Sequence, residues 1–494
     1  MTGQSHSNGS VQLPETTPSS SVVSRATTAG VWALFLLSLT TIAVSVWDGY
    51  EWYLSGYVVV DGLTTVVWAV VTFFSGIVHS YSRRYMAGDA RIDRFFGRMF
   101  AFTLVVMVMA AADHVVLFAA AWLGMGLAMA SLIGHVRGWE QARVAGSLAR
   151  RYFVASSGLL VGTLALLAWA TGTSSLSGII AQTGSLPSEF AWLAIGGLFL
   201  TAMVQSALFP FHNWLLSSMT APTPASALMH AGFVNAGGIL LTRFAPVFAD
   251  VSFAMSLLVV VGATSALLGQ ALLLVRPDTK RKLGASTVAQ MGFMILQCGL
   301  GFFAAAITHL VLHGFYKAYL FLSSGATVEQ TAPTGTVRTD LGLRGLVVSL
   351  GAALVGGALF VAITGKGAKL DSGAFLVLVV VLTTLHATRD VLKRSQLPSR
   401  FELVGLPLIV VVPIAVYGFL FNTVAALLAD VPMTHAPTEL TVVHLAIGAL
   451  FVGSYLAVEL GWHRSSKRLY VALLNLSQPA PETVLTSKED YDDA

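Results

Sequence analysis

Three ionisable residues stand at helical spacing inside a strongly apolar stretch of the chain. The stretch runs from Ile307 to Leu322 and carries His309, His313 and Lys317 at successive i, i+4 positions. Residues at this spacing lie on one face of a helix. Imidazole and ammonium groups are costly in a hydrocarbon environment, so they must face protein or water, and they are candidates for relaying protons or ions. The alternative is a structural stripe that hydrogen-bonds neighbouring helices.

The composition indicates that this helix belongs to a membrane protein. Of the 494 residues, 55% are hydrophobic and 11% are charged, and the mean hydropathy is +0.75. Soluble domains carry about 25% charged residues. Apolar runs of roughly 20 residues match the length of a helix that crosses a bilayer. We therefore expect an all-α polytopic membrane protein.

The cysteine count and the distribution of charge exclude other classes of protein. The single cysteine, Cys298, allows no disulfide framework and no cysteine-rich iron–sulfur site, and scattered histidines make no convincing zinc ligand set. No metal site or other cofactor is therefore predicted in this chain. The net charge of +4 resides in short loops between apolar runs, which favours membrane topology over nucleic-acid binding.

The apolar runs predict about 14 membrane spans. They lie near residues 31–47, 60–80, 98–112, 114–134, 151–170, 191–209, 222–243, 252–274, 284–303, 304–325, 344–363, 370–390, 401–427 and 440–460. Residues 1–30, rich in Ser, Thr, Gly and Pro, are expected to form a disordered tail, and residues 461–494 a second tail.

Loop charges predict the orientation of these spans. Arginines and lysines concentrate after the second, fourth, eighth, twelfth and last spans, whereas the opposite loops are mainly acidic, with Lys366 and Lys369 as exceptions. The positive-inside rule then places both termini in the cytoplasm of a bacterial inner membrane or an equivalent one.

Two stretches have the pattern of interrupted helices. Pro210, in Val204–Trp214, removes a backbone donor, and Gly365 and Gly367 bracket Lys366 in Val361–Lys369. Interruptions at corresponding places in two halves of a membrane protein point to an ion pathway. The alternatives are an ordinary proline kink and a loop lysine that snorkels to the interface.

Several ordered motifs resemble a known superfamily. They are Ala221–His230, Asp278–Phe293 and the row His309, His313, Lys317, with Val60–Leu63 and Ile77–Ser82 in addition. Together they are similar to the antiporter-like membrane subunits of respiratory NADH:quinone oxidoreductase, especially subunit L, and to Mrp antiporters. The resemblance implies two inverted five-helix repeats with discontinuous helices, at residues 98–250 and 251–427. N-terminal helices at 31–97 and a last helix at 428–460 flank these repeats.

Within that superfamily, the stretches His230–Pro246 and Arg468–Pro481 are most similar to the DabB family of inorganic carbon transporter subunits. This resemblance implies a transporter subunit rather than an enzyme. It would conduct protons or sodium ions and couple their gradient to carbon dioxide hydration in a separate DabA-like subunit, where zinc is expected. A cytoplasmic loop or the exposed segment near residues 460–482 is the candidate for the partner surface, and the acidic end Glu489–Ala494 is expected to be a solvated terminus.

Two positions depart from the respiratory pattern. Leu123 stands where subunit L has a membrane glutamate, and Gln205 stands where it has a lysine. Losing both charges is coherent, because either one alone would be unfavourable in a low dielectric. Ion movement is therefore predicted to depend on the second half, through His309, His313, Lys317 and Lys366. Four ionisable residues of the first half are candidates for a different relay or for structural hydrogen bonds: Asp113, His114, His212 and His230.

Three alternatives from other classes remain at this stage. The chain could be a proton-pumping subunit of a redox complex, against which Leu123 and Gln205 count. It could be a subunit of a sodium/proton antiporter. It could also be a membrane scaffold whose ionisable residues have no transport role.

Overall fold

The computed structural model describes residues 21–48, 52–54, 56–324, 343–394 and 399–484. In chain order its principal elements are α1 (Val22–Asp48), β1 (Trp52–Leu54), β2 (Val58–Val60), α2 (Gly62–Tyr85), α3 (Ile92–Ala111), α4 (Val115–Ile133), α5 (Glu140–Thr171), α6 (Leu176–Ala181), α7 (Ser188–Gln205), α8 (Asn213–Ser217), α9 (Thr223–Ala231), α10 (Ala236–Arg243), α11 (Ala245–Ala249), α12 (Ser252–Val275), α13 (Thr279–Gly299), α14 (Phe303–Ser323), α15 (Leu343–Thr364), α16 (Gly373–Arg394), α17 (Ser399–Leu427), α18 (Val442–Glu459) and α19 (Lys467–Leu476). The strands β1 and β2 form an antiparallel hairpin.

The helices confirm an all-α multi-pass membrane protein. Among the described residues, twelve spans have both the length and the hydropathy of membrane helices. The helices α13 and α14 have 21 residues each, long enough to cross a bilayer, but their polar residues lower their hydropathy. The fourteen expected spans are therefore present in the described part of the chain.

The loops form two faces. Loops after α2, α4 and α12 contain the arginines Arg91, Arg137 and Arg276, and we call their side the Arg-rich face. Contacts between loops support the assignment, because His135 lies 3.5 Å from Asp89 on this face. On the opposite face, the backbone N–H of Ala304 donates to Thr434 O across 3.1 Å.

The structure corrects the predicted N-terminal tail and shows a helix in the C-terminal one. Helix α1 begins at Val22, so the tail predicted to extend through residue 30 is too long. The C-terminal segment contains α19 and is tied to the membrane domain where Ala480 N donates to Ser217 Oγ, 3.0 Å away. The predicted disorder of residues 1–20 and the predicted solvated end Glu489–Ala494 lie outside the described residues.

The interruption at Pro210 is a discontinuous helix, as predicted. Helix α7 ends at Gln205 and helical structure resumes at Asn213, while the backbone of Ala207 is left-handed with φ of 51°. The Val204 carbonyl accepts a 2.9 Å hydrogen bond from the Trp214 indole. A side chain therefore satisfies a backbone acceptor beside the break, as a low-dielectric interior requires.

A second interruption was not predicted. The span of residues 223–243 breaks after Ala231, passes through a 3₁₀ turn at Phe233–Asn235 and resumes as α10. The Asn235 side-chain amide donates to the Ala231 carbonyl beside the break across 2.9 Å. This break lies directly after His230.

The predicted break around Lys366 is different in kind. Helix α15 ends at Thr364 and α16 begins at Gly373, so the prediction of a discontinuous span is wrong and a loop joins two full-length spans. Gly365 and Gly367 have φ of 68° and 75°, conformations that residues with a side chain rarely adopt. These two glycines give the loop the turn that folds Lys366 inward.

Helix α14 lies inside the bundle, where α9, α13, α17, α10 and α2 pack around it. Its neighbour α13 is held against α12 by small residues. A Cβ atom at Gly269 would lie 2.3 Å from Ala289 N, and one at Gly292 would lie 2.4 Å from Ala266 N. Such close backbone approach needs glycine at the crossing, so the position of α13 beside α14 is tightly defined.

A buried ion pair joins the N-terminal helices to the first half. Arg243, at the end of α10, pairs with Asp61, the N-cap of α2, and also donates to Ala110 O across 3.0 Å. Both side chains are nearly buried. Burial alone would raise the pKa of the Asp61 carboxyl, but the Arg243 charge and the hydrogen bonds it receives lower it overall.

We expect Asp61→Asn to destabilise the protein by about 3 kcal/mol, since removing one partner leaves Arg243 buried without its counter-charge. Thermal unfolding in detergent measures the effect. Glu140→Gln is the matched control, because Glu140 pairs with Arg143 where both side chains are more than half exposed, and it should cost less than about 1 kcal/mol. Equal shifts for the two variants would contradict this account of the pair.

Candidate ion pathway

Helix α14 presents its three ionisable residues to the interior of the protein. Lys317 is fully buried, His313 is 4% exposed, and His309 is partly buried. The rings of His309 and His313 are nearly parallel, with centroids 5.8 Å apart. The predicted row on one helix face is therefore present, and it faces protein.

Lys317 lies next to a chain of polar groups on α13. Its Nζ donates to Leu283 O across 2.9 Å. The same carbonyl accepts from the Thr287 hydroxyl across 2.9 Å, and that hydroxyl lies 2.9 Å from His230 Nδ1. A continuous set of polar contacts therefore joins the Lys317 ammonium to an imidazole of α9.

His230 belongs to this cluster although it comes from the first half of the sequence. Its side chain is fully buried and stacks on Phe321 of α14, with centroids 4.4 Å apart and 16° between the planes. It also lies close enough to Lys317 and His313 for their charges to interact. The break after Ala231 ends α9 just beyond this imidazole.

Lys366 lies at the opposite face of the bundle. Its side chain is 2% exposed, and its Nζ has no hydrogen-bond partner among the described residues. Aromatic rings surround it, and the centroid of Phe421 is 3.2 Å from Nζ. Neither a simple surface loop nor snorkelling to an interface describes this environment.

A cavity of about 680 Å³ is lined by residues of α12, α13 and α14 on one side and of α16, α17 and α18 on the other. Its walls are mainly apolar and include His309 of α14, Gln297 of α13 and Tyr417 of α17. His309 Nε2 and Gln297 Oε1 have no hydrogen-bond partner in the described part of the chain. Buried polar atoms are nearly always satisfied, so ordered water in this cavity is the expected partner. The cavity therefore extends from His309, one residue of the α14 row, to Tyr417. The ring of Tyr417 also contacts Lys366.

Three of the predicted residues have contacts elsewhere. Asp113 accepts hydrogen bonds from Ser175 and Ser177 at the start of α6. His114 is the N-cap of α4 and stacks on Tyr57. His212 Nε2 lies 3.2 Å from Leu476 O, which connects the break at Pro210 to α19. These contacts fix helix ends and the C-terminal segment.

Comparisons with known proteins agree with this architecture. A family model described as NADH:quinone oxidoreductase/Mrp antiporter, TM, matches residues 112–363, and one for the N-terminus of complex I chain 5 matches residues 54–96. The chain is 31% identical to the probable inorganic carbon transporter subunit DabB of Bacillus subtilis, over 94% of this chain and 90% of that protein.

The chain belongs to the NADH:quinone oxidoreductase/Mrp antiporter family.

A second DabB relative and a solved structure also match this chain. The probable inorganic carbon transporter subunit DabB1 of Halothiobacillus neapolitanus is 38% identical over 56% of this chain, and the match spans about half of that protein, 50%. A solved structure of the Mrp complex from Dietzia sp. covers 96% of this chain with a TM-score of 0.57 and 23% identity, which shows a shared antiporter fold. The resemblance to DabB subunits is therefore confirmed.

The two positions predicted to depart from the respiratory pattern lie on different helices. Leu123 is partly buried in α4, and Gln205 is 1% exposed at the end of α7. Gln205 Nε2 has no partner among the described residues. A side-chain amide and an alkyl group do not ionise at ordinary pH, so these two residues cannot form a charged pair.

Three site residues, Gln297, Tyr417 and Phe421, were not predicted. Tyr417 and Phe421 stand one helical turn apart on α17, an aromatic i, i+4 pair that has the same pattern as ordinary lipid-facing or core aromatics. Their role becomes visible only because the loop after α15 brings Lys366 against them. No group of three or more possible metal ligands occurs among the described residues.

The buried position of Lys366 predicts a labelling difference within one loop. Lys369, three residues later, is exposed. A water-soluble amine-reactive ester should modify Lys369 at least about tenfold faster than Lys366, because access to Lys366 requires local opening. Peptide mass spectrometry of protein labelled in membranes gives both rates. Equal rates would show that Lys366 is open to water and would contradict the burial described above.

Proposed function

We propose that this chain moves protons or sodium ions across the membrane through its second half. The observation that carries the proposal is the buried series of ionisable side chains between the two faces. Lys317 is bound to the start of α13 near the Arg-rich face, and His313 and His309 follow along α14. The cavity beside His309 is also lined by Phe360 and Tyr417, whose rings contact Lys366 at the opposite face. Ionisable groups buried at membrane depth are costly and are typical of ion pathways.

Each step of such a path has a physical basis. The two histidines can exchange a proton through either ring nitrogen, and all ring nitrogens of His313 are without a partner among the described residues. Water in the cavity would bridge His309 to Tyr417 and Lys366. The membrane potential provides about 2.3 kcal/mol per charge for each 100 mV, which is sufficient to drive a charge along the series.

The first half is not expected to conduct by the usual charged pair of the family. Leu123 and Gln205 occupy the positions that the pair would need. The contribution of the first half to the proposed path is His230, which reaches the Lys317 cluster through Thr287. We therefore assign one ion path to this chain.

We further infer an inorganic carbon role from the DabB relatives, whose names describe them as probable inorganic carbon transporter subunits. In this proposal the chain lies in a bacterial inner membrane with its Arg-rich face in the cytoplasm. A separate DabA-like subunit with zinc would hydrate carbon dioxide to bicarbonate, and this chain would couple that reaction to the movement of cations down their gradient. The apolar residues Leu469, Tyr470 and Val471 of α19 are exposed on the Arg-rich face and are available to such a partner.

The proposal predicts which lysines a cell needs. A strain that lacks this gene should fail to grow in ambient air and recover in air enriched with carbon dioxide. The wild-type gene should restore growth in ambient air, and Lys317→Met or Lys366→Met should abolish that restoration, since methionine keeps the volume but cannot carry the charge. Lys369→Met, in the same loop as Lys366, is the matched control and should restore growth fully.

Co-purification with the DabA-like subunit verifies that each variant still assembles. Normal growth of the Lys317→Met and Lys366→Met strains would contradict an ion path through these residues. If added carbon dioxide does not correct the growth defect, and respiration or sodium tolerance is impaired instead, the inorganic carbon role is overturned. That outcome leaves the proposal of ion transport in place.

A further inference from the structure

The Lys366 ammonium group is enclosed by four aromatic rings from three separate parts of the chain. Its Nζ lies 3.2 Å from the centroid of Phe421, 5.5 Å from Phe302, 5.6 Å from Tyr417 and 5.8 Å from Phe360. Phe302 precedes α14, Phe360 is in the last turn of α15 before the loop, and the other two belong to α17. We call these four residues the Lys366 cage.

The rings interact with one another as well as with the lysine. Tyr417 and Phe421 are nearly parallel, with 3° between their planes, and Phe360 lies 5.7 Å from Tyr417. Phe302, Phe360 and Phe421 are each at most 5% exposed. The cage is therefore a packed part of the fold and not a chance contact of a mobile side chain.

The loop backbone explains how the lysine enters the cage. Gly365 and Gly367 adopt left-handed conformations on either side of Lys366, and a Cβ at Gly367 would lie 2.5 Å from a methyl group of Val377. The lysine side chain thus points into the bundle while the neighbouring Lys369 remains exposed. The turn has the geometry to deliver one ammonium group to the rings.

No hydrogen bond within the described residues competes with the rings for Nζ. Aromatic faces are electron-rich and attract a cation by their quadrupole, and the attraction is stronger when water is excluded. They attract the ammonium form of lysine but offer the neutral amine no comparable benefit. The cage therefore favours the charged form of Lys366 without a carboxylate.

Other titratable groups surround the site. The ring of His435, in the loop after α17, lies 5.3 Å from that of Phe302 with 53° between the planes, and His435 interacts with the charge of Lys366. Asp371, in the same loop as Lys366, interacts with His435. The charge at this site therefore depends on His435 and Asp371 as well as on Lys366.

Two cage residues also line the cavity of about 680 Å³. Tyr417 is in the cavity wall together with His309 and Gln297, while its ring is one of the four around Lys366. Phe360 is shared in the same way. The cage therefore forms the boundary between the cavity and the opposite face of the protein.

We propose that Phe302, Phe360, Tyr417 and Phe421 form a cation-binding cage that holds Lys366 in its charged form at the outer end of the ion path, with Phe421 as the principal positioning residue. A charged lysine at this boundary repels a second cation, so the next ion passes only when Lys366 releases its proton or leaves the rings. This role in transport rests on the proposed function. The charge state of Lys366 itself is measured without any transport.

The test replaces Phe421 with phenylalanines that carry one, two and three fluorine atoms. Fluorine keeps the ring shape but withdraws electron density from its face, so the cation is held less well at each step. ¹⁵N NMR of lysine-labelled protein in lipid bilayers distinguishes the ammonium form from the amine, and the Lys366 signal is assigned by its absence in Lys366→Met. The midpoint of its titration should fall stepwise with fluorination, by about one pH unit over the series.

Phe419 provides the matched control, because it lies two residues away on α17 and is 73% exposed. The same fluorination series at Phe419 should leave the Lys366 midpoint unchanged. A flat series at Phe421, or an equal fall at both positions, would overturn the cage. Either result leaves the growth test of the proposed function unaffected, and a failed growth test leaves the titration result unaffected, so the two failures are distinguishable.

Discussion

The fold depends on one constraint, which is that three ionisable side chains on α14 must be kept from lipid. A charged group at the centre of a bilayer costs several kcal/mol unless protein or water surrounds it. The structure meets this constraint by placing α14 inside the bundle, with α9, α13, α17, α10 and α2 around it. The close crossing of α12 and α13 through glycine then fixes Leu283 and Thr287 where they can contact Lys317 and His230. The packing of apolar helices and the placement of polar groups are therefore parts of one arrangement.

The two halves of the molecule differ in their buried ionisable residues. The first half has the discontinuous helix at Pro210, and the contacts beside this break are structural. The Trp214 indole donates to the Val204 carbonyl, and His212 contacts the end of α19. In the second half, Lys317 and Lys366 are buried, and among the described residues neither has a salt bridge of the kind that joins Asp61 to Arg243. Lys317 donates to a carbonyl and Lys366 faces aromatic rings.

The sequence was sufficient to predict the membrane class, the number of spans, the row on α14 and the break at Pro210, because these depend on local hydropathy, helical spacing and proline geometry. It was not sufficient for features that depend on contacts between distant residues. His212 and Leu476, or Lys366 and Phe302, meet only in the packed bundle. The break after Ala231 carries no proline and reads as part of a continuous apolar span. The sequence places His230 in the first half, and only the packing of α9 against α14 shows that it contacts the second half. Helix α1 extends to Val22 through Ser, Thr and Arg residues that resemble a polar tail.

The most direct measurement of the central claim is voltage-driven cation flux in proteoliposomes that contain this chain and its co-purified partner. A potassium diffusion potential drives the flux, and pH-sensitive and sodium-sensitive dyes identify the ion. The account predicts flux in the wild-type protein, loss of flux in Lys317→Met, and retained flux in Gln205→Leu, which alters the corresponding buried position of the first half. Undiminished flux in Lys317→Met, with loss in Gln205→Leu, would contradict an ion path through the second half.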